Sequence, residues 1–256
     1  MSTEAKLSTA NYYSGISGLV LPVPNKEHYP TEFKEKSRLC YYASLFSSIE
    51  VNSSFYRIPQ AKTIAKWAED VPADFKFTFK LWRGITHEKG LIFNPDDVGR
   101  FLRAINNAGT HKGCLLIQFP PSAKSNLMPQ LQQLIACLRA ADPEQGWKLA
   151  LEFRHSSWYS ESLLAFAEAE KVAVVIQDIP ASATPLDYAN GDFVYLRFHG
   201  PNGKYRGTYS EDVLQEYSYY IREWQEDGKT VFVYFNNTMG DAIRNLNTLN
   251  SFVQQT

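Results

Sequence analysis

Eight strand-like runs punctuate this chain of 256 residues, at 12–17, 48–52, 75–80, 114–118, 148–153, 172–177, 193–198 and 231–235. Helical patterns separate most of them. This alternation constrains the fold more than any other feature, because repeated β-then-α order builds a parallel sheet with helices outside it. Eight such units in about 250 residues have the size of a (β/α)8 barrel. Helix end signals agree. Asn94-Pro95-Asp96-Asp97 supplies a cap, a first-turn proline and two acids, and Val98, Phe101, Leu102 and Ile105 follow as an apolar stripe. Ser210-Glu211-Asp212 opens another helix, striped by Val213, Tyr217, Ile221 and Trp224 and stopped at Gly228. Pro129 begins a third, with Leu131, Leu134, Ile135 and Leu138, and the last helix carries Ile243, Leu246 and Leu249.

The reading is therefore an α/β chain forming a single-domain TIM-type barrel over 12–256, after a polar N-terminal segment at 1–11. Between the sixth and seventh runs, Ile179 to Gly191 contains two prolines and little helical period, so the sixth crossover is expected to be irregular. An open doubly wound sheet is the rival. It announces itself with a glycine-rich turn after the first strand, and Gly15-Ile16-Ser17-Gly18 supplies neither a GxGxxG nor a P-loop lysine.

Composition excludes some partners. A net charge of −1 gives no global field toward nucleic acid or membrane. Cys40, Cys114 and Cys137 are odd in number and form no CxxC pair, which reads as reduced thiols in a cytoplasmic protein. Met1 to Asn11 lacks the basic-then-apolar order of a signal peptide, and no apolar run approaches the ~18–20 residues that span a bilayer. No membrane partner is expected.

Side chains alternate across a strand, so Glu50 and Asn52 share one face, as do Glu152 and Arg154, and Arg197 and His199. In a barrel these polar ends converge at the C-terminal mouth, where barrel chemistry resides. Read in order, the ends are Glu50 and Asn52, Lys80, Gln118, Glu152 and Arg154, Asp178, Arg197 and His199, and Asn236. The loops beyond add Arg83, His87, His155, Trp158, Lys204 and Arg206. Cations (Lys80, Arg83, Arg154, Arg197, Lys204, Arg206) outnumber acids (Glu50, Glu152, Asp178) six to three. The inferred ligand is a small anion, a phosphate or a carboxylate. Gly200 to Gly207 can bring backbone N–H groups to such an anion, and Asn236-Asn237-Thr238-Met239-Gly240 leads into the last helix, whose N-terminus favours negative charge.

The acids have three readings. Glu50 and Glu152 form an acid/base or nucleophile pair as in glycoside hydrolysis. Alternatively, a single divalent metal is held by Glu50, Glu152, Asp178 or His199; this is not the favoured reading. Or each acid pairs with a neighbouring arginine. His199 is the leading acid/base candidate and His87 the second. His155 has the opposite parity and is read as facing away or capping the next helix, while His28 and His111 are read as surface residues. Phe55, Tyr56, Trp82, Trp158, Tyr205 and Tyr209 crowd the loops, either to stack on a ligand or to wall the mouth.

Five ordered segments carry a family resemblance: Glu50-Val51-Asn52-Ser53-Ser54-Phe55-Tyr56-Arg57, Gln118-Phe119-Pro120-Pro121, Glu152-Phe153-Arg154-His155-Ser156-Ser157-Trp158, Tyr195-Leu196-Arg197-Phe198-His199-Gly200 and Tyr234-Phe235-Asn236-Asn237. Together they resemble the YecE-like family, domain-of-unknown-function family 72. The resemblance implies a TIM-type barrel and delivers no activity. A multinuclear zinc site, as in endonuclease and isomerase barrels, is not expected where the mouth offers only His87 and His199.

The leading expectation is an enzyme, a hydrolase or lyase, acting on an anionic substrate such as a sugar phosphate, nucleotide or nucleic-acid fragment. In it Lys80, Arg154 and Arg197 hold the anion. Glu50 or Glu152, with His199 and Asp178, move protons. Asn52, Arg83, His87, Gln118, Trp158, Asn236 and the Lys204-Tyr205-Arg206 loop line the site. The alternatives are a glycosidase-like hydrolase using Glu50 and Glu152, and a non-enzymatic ligand- or nucleic-acid-binding module.

Overall fold

The computed structural model describes residues 11–255. The polar N-terminal segment read from the sequence lies, but for Asn11, outside the described residues. The strands are β1 (Tyr12–Ile16), β2 (Ser48–Val51), β3 (Lys76–Lys80), β4 (Lys112–Gln118), β5 (Lys148–Glu152), β6 (Ala173–Val174), β7 (Ile176–Gln177), β8 (Phe193–Phe198) and β9 (Thr230–Phe235). All their pairings are parallel.

The ladders make two sheets, β1-β9-β8-β7 and β2-β3-β4-β5-β6, where the sequence predicts one closed eight-stranded ring. Two seams account for the difference. At the first, β1 meets β2 only through a bridge from Ser17 to Glu50 and a Gly18 N–H donated to the Glu50 carbonyl at 2.8 Å. Gly15 lets these backbones approach, because a Cβ there would lie 1.9 Å from the Ser48 carbonyl oxygen. Gly15 thus serves packing, while Gly18 adopts φ +102° with open space around it. At the second seam the sixth run breaks at Val175. Its N–H joins the Leu151 carbonyl at 2.8 Å, and its carbonyl accepts the Thr184 hydroxyl at 2.8 Å instead of a ladder partner. Beyond it Ile176 and Gln177 pair with Leu196 and Arg197. One run therefore passes from one sheet to the other.

Gly15→Ala is expected to cost about 3 kcal/mol or more, at the upper end of overpacking penalties, since the obstruction is backbone that cannot swing aside. Urea denaturation of the variant checks this; a loss below about 1 kcal/mol would mean the first seam is loose.

Helices flank the strands as the end signals indicate. Asn94 Oδ1 accepts from Asp96 N at 3.0 Å ahead of the helix Pro95–Ile105, and Ser210 Oγ accepts from Val213 N at 3.5 Å ahead of Glu211–Glu226. Gly228 adopts φ +79° just past that helix. Between β7 and β8 only the short 3-10 turn Leu186–Tyr188 is regular, as expected of the sixth crossover. No described helix is long and apolar enough to cross a membrane.

The interior separates into two apolar clusters. The larger lies between strands and helices. The smaller gathers Cys114, Leu116, Ala150, Ala173, Val175, Phe193, Tyr195, Phe232 and Tyr234. These are alternate residues from strands of both sheets, so the two sheets share an inner plug. Polar groups begin directly above it.

Candidate functional site

Strand β8 shows the layering. Phe193 and Tyr195 belong to the inner plug, and Arg197 and His199 continue the same face toward the strand C-termini. A buried tyrosine needs a partner for its hydroxyl. Tyr195 finds Glu50 Oε2 at 2.5 Å, and Tyr234 meets Ser48 Oγ at 2.6 Å and Thr78 Oγ1 at 2.7 Å. All three contacts run between the sheets.

Arg197 is the centre of the next layer and is only 2% exposed. Its Nη2 lies 2.7 Å from Glu50 Oε1, its Nε 3.0 Å from Glu50 Oε2, and its Nη1 2.9 Å from Glu152 Oε2. Ser17 Oγ also donates to Glu50, and Arg154 Nη2 pairs with Glu152 Oε1. Both carboxylates are fully buried. Burial alone would raise the Glu152 carboxyl, but Arg154, Arg197 and Lys80 outweigh it and hold it below the usual carboxylate range. Burial likewise disfavours the Arg197 cation, and Glu152 and Glu50 reverse that, pushing its pKa up.

His199 Nε2 lies 3.0 Å from Arg197 Nη1 and 3.0 Å from Arg154 Nη2. Guanidinium groups only donate, so this nitrogen is the acceptor and Nδ1 carries the proton, facing Asp178 Oδ1 at 3.3 Å. Asp178 also accepts the His199 backbone N–H at 2.8 Å and the Tyr209 hydroxyl. Burial first, then the two guanidiniums, push His199 down to about 3, against the Asp178 hydrogen bond. The imidazole is neutral at neutral pH.

These contacts change the chemistry expected of the site. Glu50 has both oxygens engaged, Glu152 is clamped by two arginines, and His199 is wholly buried with both nitrogens used. None presents an open atom for moving substrate protons or for a glycosidase pair. Nor does the set fit a cation, because the carboxylate oxygens already face guanidinium donors. Among the described residues no group of three or more His, Cys, Asp or Glu is placed to hold a metal.

Lys80 differs. It ends β3 on the inner face, two residues past Thr78, and is 9% exposed. Its Nζ sits 4.0 Å over the Phe55 ring and, among the described residues, has no acid within ion-pair distance. Burial, reinforced by Arg197, pushes it down to about 7. Just past the strand ends, Asn52 Oδ1, Arg154 Nε and Asn237 Oδ1 are buried and unpartnered.

The remaining expected residues scatter. His87 is half-buried, edge-on to Phe55 at 4.9 Å, and pushed down to about 4 by burial and then by Lys80. Gln118 is buried with its amide turned onto the Phe119 carbonyl at 2.5 Å. Trp158 does not line the mouth. It is fully buried, stacked 4.4 Å from Phe153, with Nε1 on the Ala123 carbonyl at 2.8 Å. Arg83, Lys204 and Arg206 are exposed around the rim. Tyr205, at φ +62°, turns its ring edge toward His199 at 5.7 Å. Asn236 is half-buried and gives its N–H to Phe198, whereas Asn237 binds the Gly207 carbonyl at 2.9 Å and Asn245 at 3.0 Å. His155 caps the turn Ser156–Trp158, as its parity suggests, and His28 is exposed. His111 is not a surface residue; it is buried with Nδ1 on the Phe75 carbonyl at 2.9 Å.

Tyr195, Tyr234 and Ser17 escaped the sequence reading, although the first two stand two residues before Arg197 and Asn236 on the same face. Separately, a cleft of about 560 Å3 lies beside the start of the last helix, lined by Leu21, Thr238, Gly240, Arg244 and Asn247. It shares no residue with the ionic cluster, and the reactive groups belong to the cluster.

Fold and site together define an α/β protein of parallel sheets with a buried ion cluster at the strand C-termini. The chain matches the family described as Protein of unknown function DUF72 over residues 13–256, and it belongs to that family. It is 29% identical to the UPF0759 protein YunF of Bacillus subtilis over 249 residues, covering 85% of this chain and 86% of that protein. Identity to the UPF0759 protein YecE of Escherichia coli is 25% over 120 residues, 47% of this chain and 42% of YecE. Among solved structures, a DUF72 family protein of Thermotoga maritima superposes with a TM-score of 0.76 at 25% identity, over 95% of this chain and 99% of that one. One from Enterococcus faecalis gives 0.77 at 22% identity, over 96% of each. The latter likeness concerns the fold.

Proposed function

We propose that the two sheets are the halves of one barrel and that the chain is an enzyme whose mouth binds a small anion carrying a hydroxyl or N–H group. The observation that carries this reading is at the strand ends: Arg154 Nε and Asn52 Oδ1 are buried without a partner, and the Lys80 amine, among the described residues, has no acid within ion-pair distance. A buried polar atom without a partner costs about 1–3 kcal/mol, so native proteins leave few of them, and a bound ligand is the economical explanation. Two are donors suited to an anionic oxygen. The third is an acceptor suited to a neighbouring hydroxyl. The exposed Arg83, Lys204 and Arg206 would draw an anion inward. Glu50, Glu152, Asp178 and His199 then hold Arg197 and Arg154 in place, and no observation favours a glycosidase pair.

Calorimetric titration with inorganic phosphate, a sugar phosphate, a nucleoside monophosphate and a neutral sugar tests this. The wild-type protein is expected to bind at least one anion and not the neutral sugar. Arg154→Gln should weaken binding about tenfold or more, the worth of one charge-assisted hydrogen bond. Removing Arg83 and Arg206 together should weaken it only a few-fold and reduce its salt dependence. Equal, negligible binding of every anion would overturn the reading, and tight binding without turnover would select a binding module.

A further inference from the structure

Among the groups at the mouth, Lys80 combines enclosure, a fixed base and a reactive atom that, among the described residues, has no acid within ion-pair distance. Its backbone is pinned: the carbonyl accepts Ser54 Oγ at 2.7 Å, and the next residue's N–H joins the Leu116 carbonyl at 2.8 Å. Phe55 lies under Nζ at 4.0 Å, and His87 meets the same ring from its edge at 4.9 Å. The charged and titratable groups around it come from several elements: Glu50 from β2, Glu152 and Arg154 from β5 and its end, Arg197 from β8, and the neutral His87 from the turn that follows β3. The two carboxylates that could have neutralised Lys80 are taken by Arg197 and Arg154. An amine crowded by guanidiniums and deprived of an acid is poised to act as a base or nucleophile rather than as a permanent cation.

We propose that Lys80 forms a Schiff base with the carbonyl carbon of an anionic aldehyde or keto acid, whose anionic group is held by Arg154 and the rim cations. The inference rests on the anion-binding reading above and adds the reaction. In it the Nζ lone pair attacks the carbonyl carbon to give a carbinolamine. The C–O bond then breaks, the oxygen leaves as water, and a C=N bond replaces C=O. One amine and one carbonyl give one imine and one water, so no oxidant or reductant is needed. The environment supports this. At pH 7 an amine held at about 7 is about half neutral, whereas an ordinary lysine is neutral in only about one part in a few thousand. Lys80 is only 9% exposed, which limits the water that would hydrolyse the imine.

The test traps the imine on the full chain. Glyoxylate and cyanoborohydride are added at pH 7, and hydride delivered to C=N leaves a stable secondary amine that peptide mass mapping locates. The expected result is a reduced glyoxylate adduct on Lys80, at least about tenfold above any other lysine and suppressed by inorganic phosphate. Its initial rate should rise with pH through about 7 and then level off. Lys80→Met should abolish it. Lys80→Arg, which keeps a cation at this position and guards against a folding artefact, should keep the wild-type circular dichroism and urea midpoint yet form no adduct. An adduct spread evenly over the lysines, or none on Lys80 while calorimetry shows phosphate bound, would overturn the Schiff base and leave the anion site standing. Absence of both trapping and anion binding would overturn both.

Discussion

Arg197→Met is expected to lower folding stability by about 3–5 kcal/mol, because it strands two fully buried carboxylates without their shared cation. Glu50 keeps the Tyr195 and Ser17 hydroxyls and Glu152 keeps Arg154, so the loss should not exceed that range. Arg197→Lys should recover little, since one ammonium cannot present two donors to Glu50 and a third to Glu152. Combining Arg197→Met with Glu50→Gln and Glu152→Gln should restore much of the loss, as neutral amides no longer carry uncompensated charge. Urea denaturation of the four proteins checks this. A single-variant loss under about 1 kcal/mol would mean that the carboxylates are not held ionised by Arg197.

Acid is expected to destabilise the protein from about pH 6.5 downward, well before ordinary carboxylates titrate. His199 is ordinary in the unfolded chain, near 6.5, but held at about 3 when folded. Between those values the unfolded state binds the extra proton, so stability is fully present above about 6.5 and declines as pH falls toward 3. Glu152 acts on a lower window: its folded pKa is depressed, so its contribution is present above the unfolded value near 4.3 and is lost as pH falls through the folded one. The histidine part amounts to on the order of a few kcal/mol across its window. His199→Gln, whose amide oxygen can still accept from both guanidiniums, should flatten the slope between about pH 6.5 and 5. Denaturation midpoints measured at half-unit pH steps decide it. An unchanged slope in the variant would show that His199 protonates freely in the folded state.

The alternation of strands and helices and the face of each polar strand end were legible because they depend on local periods of 2 and 3.6 residues. The same parity correctly groups Glu50, Glu152, Arg197 and His199. What parity cannot give is the partner. Six cations against three acids read as a free positive excess, yet Arg197 is spent between two of those acids, and the unengaged charge rests on Lys80 and the rim. His199 looked like the proton carrier by residue type, and its engagement with two arginines is a tertiary fact. The break at Val175 was equally hidden, for it depends on the Thr184 hydroxyl nine residues away. Trp158 and His111 were misplaced for one reason: a loop-proximal aromatic or imidazole gives no local sign of whether it turns inward.

The polar contacts of the inner layers share one geometric property. Tyr195 and Arg197 stand on the β1-β9-β8-β7 sheet and reach Glu50 and Glu152 on the other, and Tyr234 does the same to Ser48 and Thr78. Side chains thus fasten the two sheets where backbone ladders lapse. Neither sheet can peel away without stripping the Tyr195 and Tyr234 phenols and the Arg197 guanidinium of these partners, so the halves should lose structure together, as a single cooperative unit.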